Sequence, residues 1–333
     1  MNKLGRSLVA FSAILILAAC GGYKESQETL ELNEDTYIYE ANVDENTIFG
    51  DIVDNTVPLA DKPVLVIDLN PVASGVNVKK NNQTIIDYSN TKDGYIMVAW
   101  LDKAAKVKVL VKGPSGTSYQ YNLRTDKEYD TFPLSDGNGT YTVSVYKNVS
   151  GTSYSTVITQ TMQVKMTDEF APFIRPNQFV NYTKDSKAIA KANELCNGVD
   201  GNLAKVEKIY SYVINNVTYD KQKAQTVQSG YLPNIDDTYE TKKGICFDYA
   251  SLMSAMLRSQ GVPVKLIVGY TGNAYHAWIN VYSETEGWIE SKIYFDGKEW
   301  KLMDPTFASS GNNSESIRQY IGNGDNYSAK YQY

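Results

Sequence analysis

Residues 243–263 read KGICFDYASLMSAMLRSQGVP. Tyr249, Leu252, Met253, Met256 and Leu257 recur at i, i+3, i+4, i+7 and i+8, the period of a helix with one apolar face. Gly261 stops that helix and Pro263 lies just beyond it. Cys246 falls immediately ahead of the stripe, which puts its thiol in the first helical turn. Unpaired backbone N–H groups and the positive end of the helix dipole stabilise a thiolate there. The same N–H groups can hold the oxyanion of a tetrahedral intermediate. Gly244 lets the chain turn tightly into the helix, and Asp248 reads as a first-turn capping carboxylate.

Outward from this helix the pattern changes on both sides. Upstream, Val206, Ile209, Tyr210, Val213 and Ile214 form a second helical stripe, with Lys205, Glu207 and Lys208 on its wet side. Downstream, Val264 to Tyr270, Ala277 to Tyr282 and a short run from Trp300 to Met303 read as strands. Helices first and strands afterwards imply an α+β domain with a mainly antiparallel sheet over residues 168–310.

His276 is the only histidine in the 333 residues. It follows Cys246 on one of the predicted strands, and Asp304 follows it at the end of another. A thiol needs a neighbouring base to become a thiolate at neutral pH, and that base needs an acceptor to hold its ring and tautomer. Cys246, His276 and Asp304 can supply nucleophile, base and orienter for acyl transfer through a thioester. Tyr219, in the run VTYD, is a candidate oxyanion-hole hydroxyl. Lys242 and Lys243 read as surface residues, and the run from Gln222 to Asp237 as a loop forming pocket walls.

Residues 61–167 look all-β. Val64–Asp68 is a short apolar run, and valines alternate with lysines from Lys106 to Lys112 as in a half-buried strand. Thr140–Tyr146 alternates likewise behind the turn Asp136-Gly137-Asn138-Gly139. Turns at Gly113–Gly116 and Ser150–Thr152 complete the spacing of an immunoglobulin-like β-sandwich. It carries no titratable cluster, so it reads as an accessory spacer or binding module. Residues 21–60 are an acidic spacer, and residues 311–333 a polar, Tyr-rich tail.

Residues 1–20 carry Lys3 and Arg6, then an apolar run from Leu8 to Ala19 of signal-peptide length. The run ends in Leu17-Ala18-Ala19-Cys20, which resembles a bacterial lipobox. Cys20 is then the lipidation site, and the protein is expected at the cell membrane, lipid-anchored and facing outward. Of the two remaining cysteines, Cys196 lies on a helical stripe with Ile189, Ala192 and Leu195, as a small buried hydrophobe does. A disulfide from it to Cys246 is open to an exported protein but would disable the nucleophile. A net charge of −6 argues against nucleic acid as a partner.

The quoted residues resemble the transglutaminase-like superfamily, relatives of the papain-type cysteine peptidases. The match runs through Gly244–Ala250, Met256–Pro263, Val268-Gly269-Tyr270, His276-Ala277-Trp278 and Trp300 with Asp304-Pro305-Thr306, about a third of the chain. It is also similar to exported lipoproteins of Gram-positive bacteria that carry such a domain. The resemblance implies a helix-borne Cys246 nucleophile, His276 base and Asp304 orienter. It implies a peptidase or amidase, or a transglutaminase, acting on a protein or peptide, cell-wall peptide included. No cofactor is called for. No metal is called for either, because Cys246, His276, Asp304 and Cys196 include no close ligand pair. The alternative, of a different class, is a non-catalytic cell-surface binding module that retains the fold. Cys20→Ala should lose its lipid and its membrane fractionation in detergent partitioning; a mutant that still partitions with membranes excludes the lipobox.

Overall fold

The computed structural model describes residues 29–31, 69–272, 274–290 and 327–333. Cys20, the Val64–Asp68 run, the Trp300–Met303 run and Asp304 lie outside the described residues. The fold is mixed α and β, with mainly antiparallel sheets.

The N-terminal strands are β1 (Thr29–Glu31), β2 (Val78–Lys80), β3 (Thr84–Asp87), β4 (Tyr95–Trp100), β5 (Val107–Lys112), β6 (Ser118–Asn122), β7 (Tyr129–Pro133), β8 (Gly139–Ser150) and β9 (Ser153–Val164). They form two antiparallel sheets, ordered β1-β9-β8-β5-β6 and β2-β3-β4-β7. Val107, Val109 and Val111 alternate inward on β5 as their spacing predicts, beside Tyr141, Val143 and Val145 of β8. They share one core with Ile86, Ile96, Val98, Trp100 and Phe132 of the other sheet.

Two details differ from the sequence reading. Within the acidic spacer, Thr29–Glu31 pairs with Ser153–Ser155, because the outer edge of β9 offers unpaired backbone groups. Lys108, expected on the wet face of β5, is buried; its ammonium sits 5.7 Å over the Tyr154 ring and its stem covers apolar surface.

The C-terminal part carries helices α1 (Lys187–Leu195), α2 (Asn202–Asn216), α3 (Lys221–Thr226), α4 (Ile235–Thr241) and α5 (Cys246–Ser259). Its strands are β10 (Thr218–Tyr219), β11 (Lys243–Gly244), β12 (Val264–Thr271), β13 (Ala274–Ser283), β14 (Gly287–Ile289) and β15 (Tyr327–Gln332). The main sheet is antiparallel throughout, in the order β14-β13-β12-β15. Part of the expected tail is therefore a strand: β15 pairs along β12, and Tyr333 and Leu266 exchange backbone hydrogen bonds of 2.8 and 2.9 Å. Its polarity hid this, since what it contributes is backbone pairing and tyrosine rings packed on Tyr119 and Tyr121.

The stripe from Tyr249 to Leu257 predicts an amphipathic α5, yet all fourteen residues of the helix are buried. Each end carries hydrogen bonds to protein groups. At the N-terminus the Asp248 carboxylate accepts the Ile245 N–H at 2.8 Å. At the C-terminus Gly261 adopts φ +77° and donates to Arg258 O, while Val262 donates to Leu257 O, a Schellman closure. The fully buried Arg258 guanidinium donates to the carbonyls of Val264, Arg175 and Tyr333. Burial pulls its pKa down to about 10, so it remains charged at neutral pH. These bonds join the helix end, β12, the chain entering the domain and the final strand. Arg258→Met should cost about 1–3 kcal/mol in denaturant unfolding, because carbonyls in a dry core lose their donor. A change under about 1 kcal/mol would show that water or a rearranged loop replaces it.

Candidate active site

Two short strands set the entrance of α5. β10 and β11 pair in parallel, with Tyr219 opposite Gly244, and Asp220 N–H donates to Gly244 O at 2.9 Å. The chain then enters α5 at Cys246, its first residue, which is 1 % exposed. The candidate hydroxyl of Tyr219 thus belongs to a half-buried residue paired two positions before the thiol.

Asp248 caps the helix as its position suggests and does more. Its Oδ2 also accepts from Lys223 Nζ at 2.7 Å, and its Oδ1 from the Tyr231 hydroxyl at 2.5 Å. The Lys223 ammonium donates to the Tyr231 hydroxyl as well, at 2.7 Å. Burial and the adjacent carboxylate push the Tyr231 phenol well above its ordinary pKa, so it stays a donor at physiological pH. A buried carboxylate beside a nucleophilic thiol would oppose thiolate formation; the Lys223 ammonium offsets that charge. Gly244 is required for space more than for a turn, since a Cβ there would stand 2.6 Å from Asp248 Cβ.

His276 lies on β13 opposite Gly269 and is 6 % exposed. Its ring stacks on Trp278, with centroids 6.2 Å apart at 20°, and Tyr327 of β15 lies 6.3 Å away. Gly269 keeps this corner open: a Cβ there would meet Ser328 O at 2.1 Å and the Trp278 ring at 2.9 Å.

His276 and Phe247, the residue after Cys246, line one cavity of about 80 Å³. Tyr121 from β6, Gly230 from the loop before α4, Tyr275 and Tyr333 complete its main walls. Cys246 is one residue from this lining and buried, and Asp304 lies outside the described residues. Sequence reasoning anticipated a wall from residues 222–237, although α3 and the start of α4 occupy part of that run. It missed the bonds of Lys223 and Tyr231 to Asp248 and the contribution of β6, because Asp248 lies 25 and 17 residues from them and β6 belongs to the other sheet.

Residues 189–305 match the family model of the transglutaminase-like superfamily. Among curated proteins, the uncharacterised protein YebA of Bacillus subtilis is 28 % identical over 115 residues, 27 % of this chain and 15 % of its own length. A UPF0252 protein of Methanocaldococcus jannaschii is 28 % identical over 167 residues, 44 % of this chain and 47 % of its own. A protein-glutamine gamma-glutamyltransferase of Pseudomonas aeruginosa is 29 % identical over 70 residues, 16 % of this chain and 10 % of its own. The chain spans less than half the length of each of these relatives. A provisionally named cysteine protease of Cytophaga hutchinsonii overlaps 77 % of this chain and 73 % of its own at 17 % identity, with a TM-score of 0.36.

Cys196 caps α1, is buried and, like Cys246, is a free thiol. Burial pushes its pKa up to about 11, leaving about one molecule in a thousand as thiolate at pH 8. Iodoacetamide at pH 8 should therefore leave Cys196 unlabelled in folded protein and label it fully in denaturant. Mass mapping checks this, and rapid labelling of the folded thiol would contradict its place in the core.

Proposed function

We propose that this chain, whose residues 189–305 form a transglutaminase-like domain, is a cysteine acyl-transfer enzyme acting on peptide or carboxamide bonds. The observation that carries this reading is local. The thiol begins a buried helix, and the residue after it shares a cavity with the chain's only histidine.

In the proposed reaction His276 takes the proton of Cys246, and the sulfur attacks the carbonyl carbon to form a C–S bond. N–H groups at the start of α5 receive the developing oxyanion, with the Tyr219 hydroxyl as a further donor. The imidazolium returns its proton to the departing amine as the C–N bond breaks, leaving a thioester. Asp304 orients the ring by accepting its other N–H. Water completes hydrolysis, making a peptidase or amidase; a lysine-type amine instead completes a cross-link. The substrate is a protein or peptide, cell-wall peptide included. On this reading residues 61–167 are an immunoglobulin-like accessory domain, and lipid on Cys20 holds the enzyme at the outer face of the membrane.

Cys246 should react with iodoacetamide at pH 6 about tenfold faster, or more, than a free cysteine of pKa about 8.5. His276→Ala should remove most of that advantage, since the imidazolium supplies the nearby positive charge. Asp304→Ala should affect alkylation less and turnover of a peptide amide by about 10²-fold or more. A Cys246 whose alkylation is ordinary and indifferent to His276→Ala would favour the non-catalytic binding module instead.

A further inference from the structure

The cavity beside His276 has one wall made of strand edge. β6 is the terminal strand of its sheet, and Gln120, Tyr121 and Asn122 all line the cavity. The hydrogen-bond parity of β6 can be read from its flanks. Leu123 N–H donates to Val107 O and Gly113 N–H to Thr117 O. In the register that pairs Leu110 with Gln120, the odd-numbered residues of β6 therefore bond to β5. The N–H and C=O of Gln120 point the other way, to the edge with which no strand pairs among the described residues.

At the neighbouring outward position, the Asn122 carbonyl already accepts from Gln178 Nε2 at 2.7 Å. The edge thus works as an acceptor where protein reaches it. Its residues, Ser-Tyr-Gln-Tyr-Asn, contain none of the lysines or prolines that natural proteins use to block edge pairing.

We infer that the β6 edge binds an extended polypeptide substrate as an added strand, paired through the backbone of Gln120 and led from there toward the Cys246 end of α5. Backbone pairing supplies affinity independent of side chains, so the substrate class is unfolded or extended protein in preference to a small amide. A single strand suits the groove better than a second copy of the chain. Gly230 of the facing loop lies against the Asn122 side chain, where a Cβ would stand 2.4 Å from Nδ2, and Gln178 already holds the Asn122 carbonyl, so pairing is confined to the Ser118–Gln120 stretch of β6, too short a run for the edge of a second folded sheet. The inference rests on the cysteine-enzyme reading of the same cavity.

The test is binding of fluorescein-labelled, reduced and carboxymethylated lactalbumin, a permanently unfolded polypeptide, to Cys246→Ala protein, followed by anisotropy. Gln120→Pro removes the outward N–H, which β5 does not use, together with the glutamine side chain. It should weaken binding about tenfold, the loss expected for one or two backbone hydrogen bonds. Gln120→Ala keeps the N–H and should stay within about twofold. Against unaltered Gln120, a decapeptide of the same polypeptide with alternate backbone nitrogens methylated should bind more weakly than its parent, which covers a proline variant that fails to fold. No binding, equal binding of the two peptides, or equal effects of Pro and Ala overturns the inference. So does a Gln120→Pro variant that changes the sedimentation of the free protein, since the edge would then belong to a second copy. A wild-type protein that p-nitrophenyl acetate fails to acylate at Cys246 refutes the enzyme reading alone, and the binding comparison still decides the edge.

Discussion

A helix with no wet face is the constraint on which the rest of this structure depends. Every residue of α5, from Cys246 to Ser259, is buried, so both helix ends lie where water cannot complete their hydrogen bonds. An unpaired backbone group in such a place costs about 1–3 kcal/mol, and a helix leaves up to four at each end. At the N-terminus the Asp248 carboxylate accepts the Ile245 N–H, and at the C-terminus the Gly261 and Val262 N–H groups close on the last carbonyls. The helix also carries a second charge inside the protein, Arg258, which donates to carbonyls from three other segments. Two buried charges are expensive in isolation, and replacing a buried ion by a well-packed apolar group often stabilises a protein. Here that exchange is unfavourable, because an apolar side chain would strand the carbonyls of Val264 in β12 and Arg175 in the segment entering the domain, while Tyr333 O would keep only its bond from Leu266.

The same requirement joins the two parts of the chain. Residues 171–180 pack inward, with Ala171, Phe173 and Val180 buried and the Phe179 carbonyl accepting from Ser251 of α5. Phe179 stacks on Tyr121 of the N-terminal sheet and lies against Phe247 and Tyr333. Aromatic side chains of this size each bury roughly 150–250 Å², so this cluster outweighs any single polar contact across the junction. It also explains why a strand of the N-terminal sheet lines a cavity next to His276.

Charge near the thiol follows from the fold as well. A carboxylate at the third helical position is a good cap and a poor neighbour for a thiolate. The protein keeps the cap and offsets the charge with Lys223, whose ammonium reaches Asp248 from α3 while remaining partly exposed. The negative charge of the cap is thus partly neutralised two residues from Cys246.

Much of this was legible along the chain, for a physical reason: periodicity reports which residues share a face. Spacing alone located α2, α5, β5, β8, β12 and β13 and identified Cys196 as core. It marked Cys246 as the start of a helix and His276 as part of a strand, because caps, turns and stripes are local in sequence. Periodicity is silent about what covers the opposite face, so it took α5 for an amphipathic helix and Lys108 for a wet residue. It also passed over β15, whose stability comes from backbone pairing with β12 and not from its own polar side chains. The Lys223–Tyr231–Asp248 cluster and the β6 wall of the cavity depend on residues far apart in the chain. Residue types determined by themselves which groups could do chemistry; only tertiary packing decided which partners surround them, because burial and charge compensation are properties of neighbours in space.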